Sequence, residues 1–480
     1  MHHLTPPISP PIQKGNQVDI LQLIRSSLKV VDFEAITTVK AKSCRSFNEL
    51  MEVFSRGNMT VTQSFQDCFA LCCAVHIAVK LDGDPLWIYL VGPPSSGKST
   101  ICELLSADER NTRPLSKFTG LVTGHTQGKS LVPQLQSKCV IVKDGTLLLE
   151  STPVALANVY GELRDIYDGS IEAYYRNGKS ASFKNLSFGM IIGITEKVYG
   201  LDMAALGERF LHCRLDTDRK TELKRNSSAI DAIFNESHRT LAEGDESGDS
   251  RSFPLQREYT AGFLSHLHTR IRLEDILRPS YTEEDKQVIQ ALADILACSR
   301  ASAPKDQKDN VLYDSRPEAS TRVVKQLARI CLMLCYVLDT KKIDGAIIRL
   351  ITKAAIDSSW GRQYHIIKTV ALSPSGVTRA SIATKLSLPL ETLTRHIKDL
   401  FSLNILHEQT ERNRKGQGSL NKMITCAEWI KDSFRLIEGQ LTDGEQSISP
   451  HDQDSPRKVI TTNGRPKRPL RKSKTPRPGS

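Results

Sequence analysis

The chain has 480 residues, 39% of them hydrophobic and 25% charged, which is ordinary for a globular protein and leaves room for about three domains. Its eleven cysteines form no C-x-x-C pair, so buried free thiols are expected rather than a disulfide scaffold or a thiolate metal site. Nine of the eleven net positive charges lie in residues 456–480, so the body is nearly neutral and the tail is basic.

Residues 1–17 are Pro-rich without the apolar core of a signal peptide, and are expected to be disordered. Residues 18–59 carry helix-like apolar spacing. From 60 to 240, short apolar runs alternate with longer periodic ones, which predicts an α/β domain. The longest apolar run, Phe69–Val79, is too short to span a bilayer, so no membrane role is expected. A polar linker (241–256), a helical segment (257–360) and a small domain (361–435) follow. Beyond residue 436 the composition is low-complexity and predicts no fold.

The most specific motif is Gly92-Pro93-Pro94-Ser95-Ser96-Gly97-Lys98-Ser99, a G-x-x-x-x-G-K-S between an apolar run, Ile88–Val91, and a helix-like stretch that begins at Ser99 and Thr100. Backbone N–H groups of such a loop cradle phosphates at a helix N-terminus. Lys98 would reach the β- and γ-phosphates of ATP, and Ser99 would place its hydroxyl on Mg²⁺. An acidic partner is then needed. The apolar run Cys139–Val142 leads through Lys143 into Asp144, the natural second Mg²⁺ residue. The next position is Gly145, where an acid would activate water; Glu150, Glu162 and Asp165 are alternative bases.

Asn177-Gly178 between two strand-like runs predicts a hairpin whose tip carries Arg176 and Lys179. The next strand ends at Ile194. Thr195 after it would sit beside the γ-phosphate, between the Lys98 loop and Asp144. Further on come Arg209-Phe210 and a long helix opened by Arg316-Pro317, with Arg322 in its first turn. In residues 361–425 the pattern reads helix, turn, helix, hairpin. The second helix shows Thr392, Thr394, Arg395 and Lys398 on its polar face, and the hairpin tip carries Arg414 and Lys415. In the tail, Gly464-Arg465-Pro466 matches half of an AT-hook, a motif that threads an arginine into the minor groove.

This order of parts resembles the AAA+ superfamily of P-loop NTPases, within it the MCM-like branch with a hairpin before sensor 1, and also phage and mobile-element ATPases. The resemblance covers roughly residues 60–360 by motif order. It implies a parallel-sheet AAA+ core, an α-helical lid, a C-terminal winged helix-turn-helix and a disordered basic tail. In its terms Gly92, Gly97, Lys98, Ser99 and Thr100 form Walker A and Asp144 is Walker B. Thr195 is sensor 1, Arg209 an arginine finger acting on a neighbour's nucleotide, and Arg322 the sensor 2 arginine that reaches the γ-phosphate. Arg176 and Lys179 would grip DNA in a central pore. Arg395 and Lys398 would enter the major groove, with Arg414 and Lys415 on the backbone, and Arg465 would join them from the tail. The implied protein is a homo-hexameric, ATP- and Mg²⁺-dependent DNA helicase or initiation ATPase of the cytoplasm, nucleoid-associated when on DNA, working with replication or phage proteins. Two alternatives stay open: a MoxR-like protein remodeller and an ATP-switched DNA-binding regulator. Arg209 as a salt-bridged arginine, Arg176 and Lys179 as a solvated turn, and the winged helix as a protein-contact domain are the plainer readings of the same residues.

Overall fold

A computed structural model describes residues 40–57, 59–116, 131–146, 150, 152–174, 180–200, 209–227, 230–231, 234, 253–272, 279–306, 311–313, 315–359, 361–412 and 420–445. Contacts divide the chain into two compact units, Met1–Ala297 with Ala319–Trp360, and Cys298–Glu318 with Gly361–Ser480.

The first unit is α/β, with a five-stranded parallel sheet compatible with a Rossmann-like core. The strands are β1 (Trp87–Val91), β2 (Thr112–Leu115), β3 (Cys139–Val142), β6 (Gly189–Ile194) and β7 (Phe210–Arg214), in the order β2-β3-β6-β1-β7. The three strands β1, β3 and β6 are buried along their whole length, as parallel strands covered on both faces must be. On one face Trp87, Tyr89, Val140, Met190, Ile192 and Phe210 pack with Tyr160, Leu163 and Ile166 of the helix Pro153–Tyr167. The helix Gln63–Ile77 lies against β1, β3, β6 and β7. It is capped by the Thr62 hydroxyl, which accepts from Phe65 N at 3.1 Å, and is buried at every position from Asp67 to Ile77. Its charged member, Asp67, is matched by a two-pronged pair with Arg349 at 2.7 and 2.8 Å.

The expected hairpin is present: β4 (Ser170–Tyr174) pairs antiparallel with β5 (Ser180–Lys184) as a separate two-stranded sheet. Its tip, with Arg176 and Lys179, lies outside the described residues. The helices Pro254–Arg272, Thr321–Val337 and Gly345–Asp357 do not stand apart as a domain. The first packs on Phe47–Arg56 and Lys98–Leu105, the second on Gln63–Ile77, and the third on β7.

The helix Pro254–Arg272 is crossed at one point by the segment 40–46. Lys42 N donates to Glu258 O at 3.0 Å, and a Cβ added to Gly262 would lie 1.7 Å from the Lys42 carbonyl oxygen. Backbone cannot rotate away as a side chain can. Overpacking costs about 1–3 kcal/mol, so Gly262→Ala should lose about 3 kcal/mol, read as a lower urea midpoint. An unchanged midpoint would show that the crossing segment yields.

The second unit comprises the helices Gln363–Ala371, Arg379–Lys385 and Leu390–Ser402, the antiparallel pair β8 (Leu406–Arg412) and β9 (Leu420–Cys426), and the helix Glu428–Glu445. Val377 bridges Ile424 just before the second helix, adding one residue of a third strand. Residues 298–318, which include the polar loop 301–317 of the sequence, group with this unit: Lys305 pairs with Asp399 at 3.0 Å and Ser315 N donates to Ser402 O at 3.0 Å. All eleven cysteines are free and buried, as the sequence predicts. Among the described residues no helix is long and apolar enough to cross a membrane.

Candidate functional site

Because the sheet is parallel, the loops after β1, β3 and β6 leave it at one edge. The segment Gly92–Gly97 follows β1 and ends at the N-terminus of the helix Lys98–Leu105. Two residues take left-handed backbone, Ser95 (φ 62°) and Gly97 (φ 101°), which curls successive N–H groups into a concave nest that suits an anion. Gly97 has open space around it, so its role is backbone freedom alone. Gly92 is needed for closeness: a Cβ there would lie 2.7 Å from the Ser96 hydroxyl and 3.3 Å from Leu215.

Lys98 folds back into this loop. Its ammonium donates to Gly92 O and Pro93 O, each at 2.7 Å, and reaches the Ser96 hydroxyl at 3.5 Å. Burial lowers the Lys98 pKa, against the pull of Asp144, Cys102 and Glu196. An ammonium held by neutral carbonyls, partly stripped of water, is poised to exchange them for phosphate oxygens. Ser99 is exposed at the helix start and Thr100 is half-buried.

Asp144 stands two residues beyond β3, exposed. It accepts from Thr146 N at 2.9 Å, and hydrogen bonds from Thr146 hold its carboxyl below the usual range. It is therefore ionised at neutral pH and has lone pairs left for a cation. Gly145 N donates to Gly193 O at 2.7 Å, and a Cβ on Gly145 would meet Ile192 Cγ2 at 2.6 Å. Position 145 is thus walled by β6 and has no space for an acid. β6 itself lies between β1 and β3, and Gly92 N donates to Ile194 O at 3.1 Å. Thr195 follows directly. Its hydroxyl is buried and finds no partner among the described residues. One edge thus brings together Gly92, Gly97, Lys98, Ser99, Thr100, Asp144 and Thr195.

Sequence reasoning passed over Glu196. It is exposed, follows Thr195, lies 3.8 Å from Arg214 Nε, and is close enough to act on the charge of Lys98. The signal was there: an acid directly after a polar residue at the end of an apolar strand. Of the alternative bases, Glu150 pairs with Lys197 at 3.7 Å, on this edge. Glu162 and Asp165 lie toward the far end of their helix, where Tyr167 packs edge-on against Trp87 at 5.0 Å, at the start of β1.

Arg209 is not brought to this edge. Trp87 is in register with Phe210, so Arg209 sits at the opening edge of the sheet. The five residues of β1, about 16 Å of strand, separate it from the Lys98 loop. Its side chain is only 6% exposed. It donates to both Asp168 oxygens at 3.1 and 2.9 Å and lies over the Tyr167 ring at 5.4 Å, while its backbone O accepts from Gln326 at 2.9 Å. Burial lowers its pKa, Asp168 opposes this, and Arg322 adds to it, which places Arg322 nearby. In this chain Arg209 is thus salt-bridged to Asp168, and Arg322 is close enough to act on its charge.

In the second unit, Leu393, Ile397 and Leu400 of the helix Leu390–Ser402 are buried, while Thr394, Arg395 and Lys398 are exposed. Arg414, Lys415 and Arg465 lie outside the described residues. No family model matches this chain, and no curated protein does.

Proposed function

We propose that this chain is an AAA+-type ATPase that acts on DNA as a ring, in replicative unwinding or initiation for a phage or mobile element. The observation that carries the reading is the strand order: the strand ending at Thr195 lies between the one that feeds the Lys98 loop and the one that feeds Asp144. That order brings a phosphate cradle, a cation-holding acid and a buried hydroxyl to one edge, as phosphoryl transfer needs.

The loop N–H groups and Lys98 bind the β- and γ-phosphates, and Thr195 donates to the γ-phosphate. Ser99 and Asp144 would hold Mg²⁺, which neutralises charge on the phosphates when bound. Glu196 orients the attacking water and accepts its proton. Arg322, the more exposed of the two arginines at the far edge, is the one suited to reach a neighbouring copy's nucleotide. The order helix, one-residue strand, helix, helix, hairpin in the second unit supports a winged helix-turn-helix, with Arg395 and Lys398 facing the major groove.

A second reading, an ATP-switched DNA-binding regulator, is favoured by one observation, the walled position of Gly145. Steady-state ATPase with and without single- and double-stranded DNA separates the two. The motor reading expects stimulation by DNA, and Arg395→Ala with Lys398→Ala should weaken duplex binding and relax its sequence preference. ATPase indifferent to DNA would sink the motor and favour a protein remodeller. Tight ATP binding without turnover would point to the switch.

A further inference from the structure

The buried interior of the first unit holds a polar cluster with no part in nucleotide chemistry. His76 at the end of the helix Gln63–Ile77, Asp108 beyond the helix Lys98–Leu105, and His268 on the helix Pro254–Arg272 converge there, at 0, 7 and 5% exposure. One donor atom from each lies within 4.8 Å of the others.

We propose that His76, Asp108 and His268 form a three-ligand site for a zinc-type divalent transition-metal ion, a water completing its four-coordination. Three observations carry this. The first is spacing. His268 Nε2 is 3.2 Å from His76 Nδ1 and 3.4 Å from Asp108 Oδ2, one donor atom of each residue lies within 4.8 Å of the others, and the second His76 nitrogen, Nε2, is 3.9 Å from Asp108 Oδ2. Donors about 2.0–2.1 Å from a tetrahedral zinc stand about 3.4 Å apart, so an ion fits among them with small side-chain shifts. The second is charge. A carboxylate 93% buried needs a countercharge, and among the described residues its ion-pair partners are the two imidazoles alone. The third is the outer shell. His76 Nε2 lies 2.9 Å from the Thr112 hydroxyl, which orients the ring and leaves Nδ1 toward the cluster. Asn111 Nδ2 donates to Asp108 at 2.9 Å and fixes the carboxylate. Ligating imidazoles and carboxylates are held in just this manner. Imidazole with carboxylate favours zinc over magnesium or calcium.

The ion would tie three elements far apart in sequence, at the end of the helix Lys98–Leu105 remote from the nucleotide edge. The inference does not depend on the proposed ATPase.

The test uses the full chain, stripped with a chelator and dialysed against Zn²⁺ alone, then against Co²⁺. Retention of about one ion per chain is expected, with visible cobalt bands of a four-coordinate site. X-ray absorption at the zinc edge should show nitrogen and oxygen donors at about 2.0–2.1 Å; sulfur at about 2.3 Å would place the ion on cysteines and overturn the assignment. His268→Gln, and separately Asp108→Asn, should weaken zinc binding more than about 100-fold, since outer-shell partners alone are worth about 10–100-fold. A chain that retains no zinc, or a folded variant that binds it as well as before, overturns the proposal. If neither variant folds, the absorption spectrum of the unaltered chain decides.

Discussion

Lys98→Ala should lower kcat/KM for ATP by about 10²–10³-fold, the cost of removing one preorganised donor from a developing oxyanion. The ammonium is the only side-chain cation reaching into the Gly92–Gly97 loop among the described residues, and it is already partly desolvated against Gly92 and Pro93 carbonyls. Low dielectric strengthens its attraction to phosphate. Alanine leaves the helix N-terminus and its N–H groups, so some affinity for the α- and β-phosphates survives. Fold should be preserved, because Lys98 bonds only within its own loop. Steady-state ATPase with a nucleotide-binding titration checks this, and a variant that turns over within tenfold of the parent would remove Lys98 from the site.

Glu196→Gln should behave differently. ATP binding is retained and kcat falls by about 10²-fold or more, the lower end of what a positioned base contributes. Gln keeps the size and polarity of the side chain and loses the proton acceptor. The edge has no room for an acid at position 145, where Ile192 stands 2.6 Å from any added Cβ. Glu150 also lies on this edge, 3.7 Å from Lys197, so Glu150→Gln serves as the comparison. A normal rate for Glu196→Gln beside a slow one for Glu150→Gln would move the base to Glu150.

What the sequence disclosed follows from locality. The loop motif, the strand into Asp144, the Asn-Gly hairpin, the strand into Thr195 and the polar face of Leu390–Ser402 all rest on residues within one turn or one strand of each other, where periodicity and turn chemistry are decisive. What stayed hidden depends on distant chain. His76 and His268 meet across 192 positions, and no local pattern marks either as more than a core histidine. The sequence left Arg209 open between a finger and a salt-bridged arginine because its partner, Asp168, lies 41 residues upstream, across a hairpin and one further strand. Of the apolar run beginning at Phe69 the sequence said only that it is too short to span a bilayer. Only the sheet and two later helices explain why it has no polar side. The unit division follows the same logic: the polar stretch after the helix Glu283–Arg300 carries no local sign of its unit, and the contacts of Lys305 with Asp399 and of Ser315 with Ser402 tie it to the C-terminal one.

The helix Gln63–Ile77 is wrapped by the sheet and by Pro254–Arg272 and Thr321–Val337, and this sets an order for biosynthesis. A ribosome delivers the helix long before it delivers what covers it. At roughly 5–20 residues per second, a segment apolar on every side waits on the order of tens of seconds for residue 337 to emerge. In that interval it resembles a client for a holding chaperone more than a folded element. Expression as fragments ending before Val337 should therefore yield sticky, incomplete chains, however neatly the loop motif and its strands fall within them.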